Sequence, residues 1–322
     1  MKKETKHTAI AEMQKAVDVV NTSLHPDNKI AAALFGTDKA GRHFSIIHTN
    51  YWPAPILERI GTDSKIGNSS GTIHAETACI LNAPYSYGAS LCITDPFCPN
   101  CAKNIAEAGV RNIYIDHEGL DKDWIERNRP SFEAMSLRIC ERAGINVYEI
   151  HRKEGRIEPL YQAPEDYQPL HENPVEIGDY NGQDFTDLIK TKAEQHKGRQ
   201  IAIAIATDES GKEQIMTARR HAAIGYSRDV PDSMESKQGK YSFILQPVNR
   251  LLMNAPRHGL KLVDGGIYSS RVPTAREQVN MVGAGLTKIH IGHIDEARDK
   301  GAIQAMGLLS GHHIMEFIKT DS

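Results

Sequence analysis

Four side chains in two short fragments carry the chemistry that this sequence offers. The first fragment is Thr72-Ile73-His74-Ala75-Glu76 and the second is Asp95-Pro96-Phe97-Cys98-Pro99-Asn100-Cys101. Zinc takes nitrogen and sulfur donors in tetrahedral geometry, and a catalytic zinc keeps one of its four positions for water. One imidazole and two thiolates from His74, Cys98 and Cys101 supply three donors and neutralise the ion. The fourth position can then hold a hydroxide generated near neutral pH. Glu76, two residues past the His, is placed to stand beside such a metal without binding it and to move a proton during hydrolysis. Two plainer readings compete. A Cys-x-x-Cys pair also serves in structural zinc knuckles and redox sites, and a structural site would want a fourth protein ligand, from Cys92 or one of the 15 histidines. Neither reading has a use for Glu76.

Elements that position these groups follow from hydrophobic period. Ile10, Met13, Val17 and Val20 predict an amphipathic helix. Strands are expected over Ile30 to Phe35 and around Phe44 to Ile47, with a turn through Asp38 and Gly41 between them. Residues 50–72 read as a long polar loop. A helix then starts near His74, a strand spans Leu91 to Thr94, and a second helix starts near Cys98. Both metal fragments therefore fall where a loop or strand enters a helix, and helix N-termini lower thiol pKa values. A strand over Asn112 to Asp116, a helix over Ser131 to Ala143 and a strand over Ile145 to Ile150 complete this half.

The order then repeats. Residues 151–178 read as a linker, rich in Pro, Glu and Gln. Helices are expected over Phe185 to His196, Phe243 to Ala255, Thr274 to Ala284 and Ala297 to Leu309. Strands are expected over Gln200 to Ala206, Gln214 to Ala218, Leu260 to Asp264, Lys288 to Gly292 and His312 to Ile318. Ile80-Leu81-Asn82-Ala83-Pro84 recurs as Leu252-Met253-Asn254-Ala255-Pro256. Ala108-Gly109-Val110-Arg111-Asn112-Ile113-Tyr114-Ile115 recurs as Ala284-Gly285-Leu286-Thr287-Lys288-Ile289-His290-Ile291. The expected organisation is a first domain over 1–150, the linker 151–178 and a second domain over 179–322. Strands alternating with helices argue for an α/β fold whose sheets are covered on both faces.

Over roughly residues 7–150 the first half resembles the cytidine and deoxycytidylate deaminase superfamily. His74-Ala75-Glu76 is similar to the family's His-Ala-Glu, and Cys98-Pro99-Asn100-Cys101-Ala102-Lys103 continuing to Ala108-Gly109-Val110 is most similar to the deoxycytidylate branch. The pairing of His-x-Glu with Pro-Cys-x-x-Cys is a zinc deaminase signature. The resemblance implies a three-layer α/β/α sandwich of the cytidine deaminase type, here duplicated in tandem. It implies zinc on His74, Cys98 and Cys101, with Glu76 as proton shuttle. The reaction implied is hydrolytic deamination of a small cytosine-containing nucleoside or nucleotide, by zinc hydroxide attacking the amino-bearing ring carbon. Ala75 and Phe97 are expected beside the substrate. Asn50 stands where the family often has a substrate-contacting Asn, although an Asn there also suits a turn. The sequence departs from the pattern just before the first Cys, which follows Phe97 rather than Pro and so alters the pocket wall.

Carrying the repeat through sets Gln246 at the His position, Val248 at the Glu position and Pro273-Thr274-Ala275-Arg276-Glu277 where Pro-Cys-x-x-Cys would stand. These residues lack the soft donors that zinc prefers. The second half is thus expected to be a deaminase-like domain without metal or chemistry of its own, either packed against the first as a built-in pseudo-dimer or closing its pocket. Arg271 and Arg276 are either solvated or able to reach an anionic group across that interface.

Composition excludes several partners. The net charge is −3 and no broad Lys/Arg excess is present, so bulk nucleic acid is not an expected partner. No apolar run reaches the ~20 residues of a membrane span. Met1 to Thr8 is basic and polar, unlike a signal peptide. The five cysteines all precede residue 141, a pattern unlike a secreted disulfide framework. A cytoplasmic enzyme of small molecules, with a homodimer open to it, is the expectation. Deamination of a purine, pterin or modified base, and a non-catalytic zinc-stabilised binding protein, are the alternatives. A riboflavin-pathway deaminase fused to a reductase would need a longer Cys spacing and a nucleotide-binding second half.

Overall fold

A computed structural model describes residues 3–121, 132–227 and 242–320 of the chain. The first half opens with α1 (Lys3–Val19), β1 (Ala31–Thr37), β2 (His43–Thr49), α2 (Ala54–Arg59) and α3 (Ala75–Leu81). It continues through β3 (Ser90–Ile93), α4 (Pro99–Glu107), β4 (Asn112–Asp116), α5 (His117–Leu120), the π turn α6 (Phe132–Leu137), α7 (Arg138–Arg142), β5 (Asn146–His151) and β6 (Arg156–Tyr161). The second half has β7 (Glu176–Asp179), α8 (Phe185–Gln195), β8 (Ile201–Thr207), β9 (Glu213–Arg219), β10 (His221–Ala222), β11 (Ile244–Leu245) and α9 (Pro247–Arg257). It ends with β12 (Lys261–Val272), α10 (Ala275–Gly283), β13 (Lys288–Ala297), α11 (Lys300–Gly311) and β14 (Glu316–Lys319).

Two six-stranded sheets result, ordered β2-β1-β3-β4-β5-β6 and β14-β13-β12-β8-β9-β7. Their shared part is the same fold twice, because β2-β1-β3-β4-β5 has the order and strand directions of β9-β8-β12-β13-β14. The central strands explain themselves by period. In β1, Ala31, Ala33 and Phe35 face one way and pack with Ala9, Met13 and Ala16 of α1. Ala32 and Leu34 face the other way, into the core under α3 and α4. β8 does the same, with Ile201 and Ile203 toward α8 and Ala202, Ala204 and Ala206 toward α9 and α10. A strand apolar on both faces must be covered on both, and each sheet is. The α/β/α sandwich is therefore present twice.

The inner helices α3, α4, α9 and α10 meet in the middle, and one continuous apolar cluster runs through both halves. Polar groups tie that junction together. Asn104 Nδ2 donates to Thr77 Oγ1 at 3.1 Å, Asn249 Nδ2 donates to Asn104 Oδ1 at 2.5 Å, and Asn280 Nδ2 donates to Asn249 Oδ1 at 2.8 Å. The chain of bonds visits all four inner helices, and Thr77 and Asn104 are repeat counterparts of Asn249 and Asn280. Beside it Arg250 and Glu107, each with a side chain only 1% exposed, form an ion pair at 2.8 Å.

Several expectations change. Residues 151–178 are not merely a connection, since β6 extends the first sheet beyond β5 and β7 extends the second beyond β9. Composition misleads there because both are outermost strands, and edge strands carry charges and Pro, as Pro159 in β6 does. The 50–72 loop contains α2, whose Arg59 donates to the carbonyls of His312 and His313 at 3.2 and 2.6 Å. Its Gly67 (φ +58) lies so close to the Gly301 carbonyl that a Cβ would sit 2.0 Å from the oxygen. The helix expected from Phe243 starts only at Pro247, which is pre-shaped for a first helical position, and β11 precedes it. Ser131, the expected start of the last helix in the first half, lies outside the described residues. Among the described residues no helix is long and apolar enough to cross a membrane.

Candidate metal centre

His74 and Cys98 occupy matching positions, the N-caps of α3 and α4, with extended backbones (φ −74, ψ 147 and φ −80, ψ 164). Neither side chain caps its own helix, so both are left to point elsewhere. Two backbone ties aim them. Ile73 and Tyr51 exchange hydrogen bonds at 2.8 and 3.1 Å, fixing the residue before His74. Thr94 at the end of β3 donates to the Ala31 carbonyl at 3.0 Å, and its hydroxyl donates to Asp95 at 2.9 Å, fixing the approach to Cys98.

The three donors converge. Cys98 Sγ is 3.7 Å from His74 Nδ1, Cys101 Sγ is 3.3 Å from the same nitrogen, and the two sulfurs are 3.7 Å apart. Zinc bonds of about 2.3 Å to sulfur and about 2.0 Å to nitrogen, at tetrahedral angles, would put sulfur about 3.8 Å from sulfur and about 3.5 Å from nitrogen. The side chains already have the spacing of a zinc shell. Among the described residues no fourth His, Cys, Asp or Glu joins the group. Cys92, a possible fourth ligand, faces the opposite side of the sheet and donates to the Ala9 carbonyl at 3.4 Å. Cys79 and Cys140 are fully buried core residues, and burial pushes the Cys79 thiol up to about 12.

Glu76 sits in the first turn of α3, 2% exposed, with Oε2 buried and without a hydrogen bond. Burial pushes its carboxyl above the usual range, against the pull of His74. The hydrogen bond with Cys101, and His74 beside it, hold Cys98 well below the ordinary thiol range. Two helix N-termini converging on the group favour negative charge there. A dication fits this surrounding, which offers a thiolate, a second sulfur, an imidazole and an orphaned buried carboxylate oxygen.

The other expected site residues fall variously. Ala75 is fully buried at the start of α3. Phe97 is 2% exposed and meets Phe132 edge-on, with centroids 5.4 Å apart. Asn50 is committed to the 23–30 segment: Oδ1 accepts from Ser23 Oγ at 2.7 Å and from Ile30 N at 3.0 Å, and Nδ2 donates to the Asn28 carbonyl at 2.7 Å. Arg271 pairs with Glu296 at the surface. Arg276 crosses to the first half, donating to the Thr72 carbonyl and, at 3.2 Å, to Ser70 Oγ. A stack of His25 on Trp52, with centroids 5.6 Å apart, went unread in the sequence, since nothing local links two aromatic rings so far apart in the chain.

The second half keeps the geometry and replaces the donors. Gln246 and Thr274 are the N-caps of α9 and α10, as His74 and Cys98 are of α3 and α4. Glu277, at the Cys101 position, joins both helix starts. It accepts from Asn249 N at 3.0 Å, and from Thr274 N and Thr274 Oγ1 at 2.8 Å each. A buried carboxylate thus accepts hydrogen bonds at two helix N-termini, where negative charge is favoured. A cavity of about 370 Å³ adjoins these residues, with Asn100, Lys103 and Asn104 of α4 on its other side. Replacing Glu277 with Ala strands two buried backbone donors and should cost about 3 kcal/mol of folding stability. A urea titration reads this, and zinc content should stay at the wild-type value.

No family model and no curated protein matches this sequence. Among solved structures, the chain is similar to the dCMP deaminase from the cyanophage S-TIM5 in complex with dCMP and dUMP, at 22% identity and a TM-score of 0.32 over 47% of this chain and 99% of that one. It is also similar to the apo form of the same enzyme, at 23% identity and a TM-score of 0.31 over 47% of this chain and all of that one.

Proposed function

We propose that the chain is a zinc-dependent hydrolytic deaminase of a small cytosine-containing nucleoside or nucleotide, with its chemistry in residues 1–150 and none in residues 179–322. One observation carries this reading. Three donor atoms stand at zinc spacing with no fourth protein ligand among the described residues, beside a buried carboxylate that has an oxygen to spare. A closed structural site would need a fourth donor, and a redox pair would need neither His74 nor Glu76.

His74, Cys98 and Cys101 would hold the zinc, which when bound supplies the Lewis acidity that makes water a nucleophile near neutral pH. Glu76 takes one proton from the attacking water and gives it to the ring nitrogen. It then takes the proton of the hydroxyl newly joined to the ring carbon and gives it to the departing amine, so that ammonia leaves and a ring carbonyl remains. Its burial suits the role, because burial raises the carboxyl above its ordinary range and so makes the carboxylate a stronger base. Ile73 and Thr94, pinned by their backbone bonds, hold the two helix starts in register. The second half buttresses α3 and α4 and, through Arg276, steadies the segment that leads into His74.

The test is zinc content together with ammonia release from cytidine, deoxycytidylate, adenine, guanine and a pterin. Zinc should be bound, and ammonia should come from a cytosine compound first. Chelation should stop the reaction and zinc should restore it. Zinc-loaded protein that releases ammonia from none of the panel would overturn the proposal.

A further inference from the structure

A second group of imidazoles and carboxylates stands apart from the His74 cluster, where β4 runs into α5 and β5 pairs with β6. His117, Glu149 and His151 bring their donor atoms within 4.8 Å of one another. Glu149 and His151 alternate along β5 with Ile150, so they share one face of the sheet while Ile150 packs on the other. The antiparallel register sets Glu158 of β6 directly opposite Glu149. Two acids paired across strands repel each other unless something positive lies between them.

The hydrogen bonding identifies what is missing. His117 Nε2 lies 3.0 Å from Asp121 Oδ2, which fixes the proton on that nitrogen. Nδ1 is hydrogen-bonded to Glu149 Oε1. This bond, with Asp121 on the other nitrogen, raises the His117 pKa and favours the doubly protonated ring, so that an ion entering here would take the place of the Nδ1 proton. His151 is only 7% exposed, and neither of its ring nitrogens has a hydrogen bond. Its Nε2 stands 3.4 Å from Glu149 Oε1 and 3.6 Å from Glu158 Oε2. Arg156 occupies the other Glu158 oxygen, which leaves Oε2 for the cluster. Ligands around a zinc with bonds near 2.0 Å stand about 3.3 Å apart, close to the 3.4 and 3.6 Å of the His151 contacts. A ligating imidazole whose other N–H goes to a carboxylate is the usual outer arrangement of zinc histidines, and Asp121 supplies it for His117.

We infer that His117 Nδ1, His151 Nε2 and the Glu149 carboxylate, with Glu158 as fourth donor, form a second divalent-cation site that takes zinc. Two imidazoles with carboxylates suit zinc, and the harder magnesium and calcium ions would want oxygen alone. His117 is half-exposed, and binding requires its ring to part from Glu149, with which Nδ1 is now in direct contact. Once bound, the ion neutralises the opposed Glu149 and Glu158 and pins the start of α5 to the sheet edge.

Metal-free protein titrated with Co²⁺ in equilibrium dialysis tests this without any variant. Two equivalents should bind, and the thiolate-to-cobalt absorption should account for only one. His151→Gln should lower the total to one and keep the thiolate band. A Cys98→Ser/Cys101→Ser double variant should also bind one, without the band. If His151→Gln does not fold, Glu149→Gln is the substitute, with the same expected loss of one equivalent. A single equivalent in unaltered protein, or a second that survives loss of His151 or Glu149, overturns the site. These readouts are independent of whether the protein deaminates anything.

Discussion

Glu76→Gln should leave metal content unchanged and lower turnover by about three orders of magnitude. Glutamine has nearly the volume of glutamate, so the first turn of α3 and the caps at His74 and Cys98 stay in place. What disappears is the ability to accept and return a proton, an ability worth roughly 10²- to 10⁴-fold in enzymes. The buried, unbonded Oε2 gives the change its direction, because it is the oxygen left open to take the proton. The measurement is zinc by mass spectrometry and ammonia release under saturating substrate. Normal turnover in the variant would rule out Glu76 as the shuttle. Loss of zinc with it would mean that the carboxylate is a ligand instead.

Arg250→Met should have the largest effect on stability, about 3 to 5 kcal/mol, which is a large share of what holds a domain folded. Arg250 donates to Glu107 Oε1 and to the carbonyls of Arg219 and Asn173, and its side chain is 1% exposed. Without it the Glu107 carboxylate stays buried between the halves with Asn254 Nδ2 as its remaining side-chain donor, at 2.7 Å. A buried charge that loses its partner costs more than the pair ever gained, so Arg250→Met/Glu107→Leu should be more stable than Arg250→Met alone. Urea unfolding of the two variants against wild type decides it. Equal stability of the two would mean that water already reaches Glu107. Because α4 carries both Cys101 and Glu107, the loss should also loosen zinc retention in the single variant.

Much of this protein was legible from local pattern. Alternation in β1 and β8 marks strands buried on both faces, and the sequence places His74, Glu76, Cys98 and Cys101 at two helix starts, where the structure has them. The recurrence of Asn-Ala-Pro and of the β4 segment in β13 marks the repeat, and the N-caps Gln246 and Thr274 fall where that recurrence sets them. These features lie within a few residues of one another or repeat in order, so period and spacing encode them. Tertiary structure alone decided the rest. That Cys92 faces away from His74 while Cys98 meets it depends on which side of the sheet each occupies. That Asn50 serves the 23–30 segment and that Arg276 leaves the second half for Thr72 are matters of pairing between distant segments. Such pairings are chosen by the burial and hydrogen-bond demands of the whole chain, and no window of sequence contains both partners.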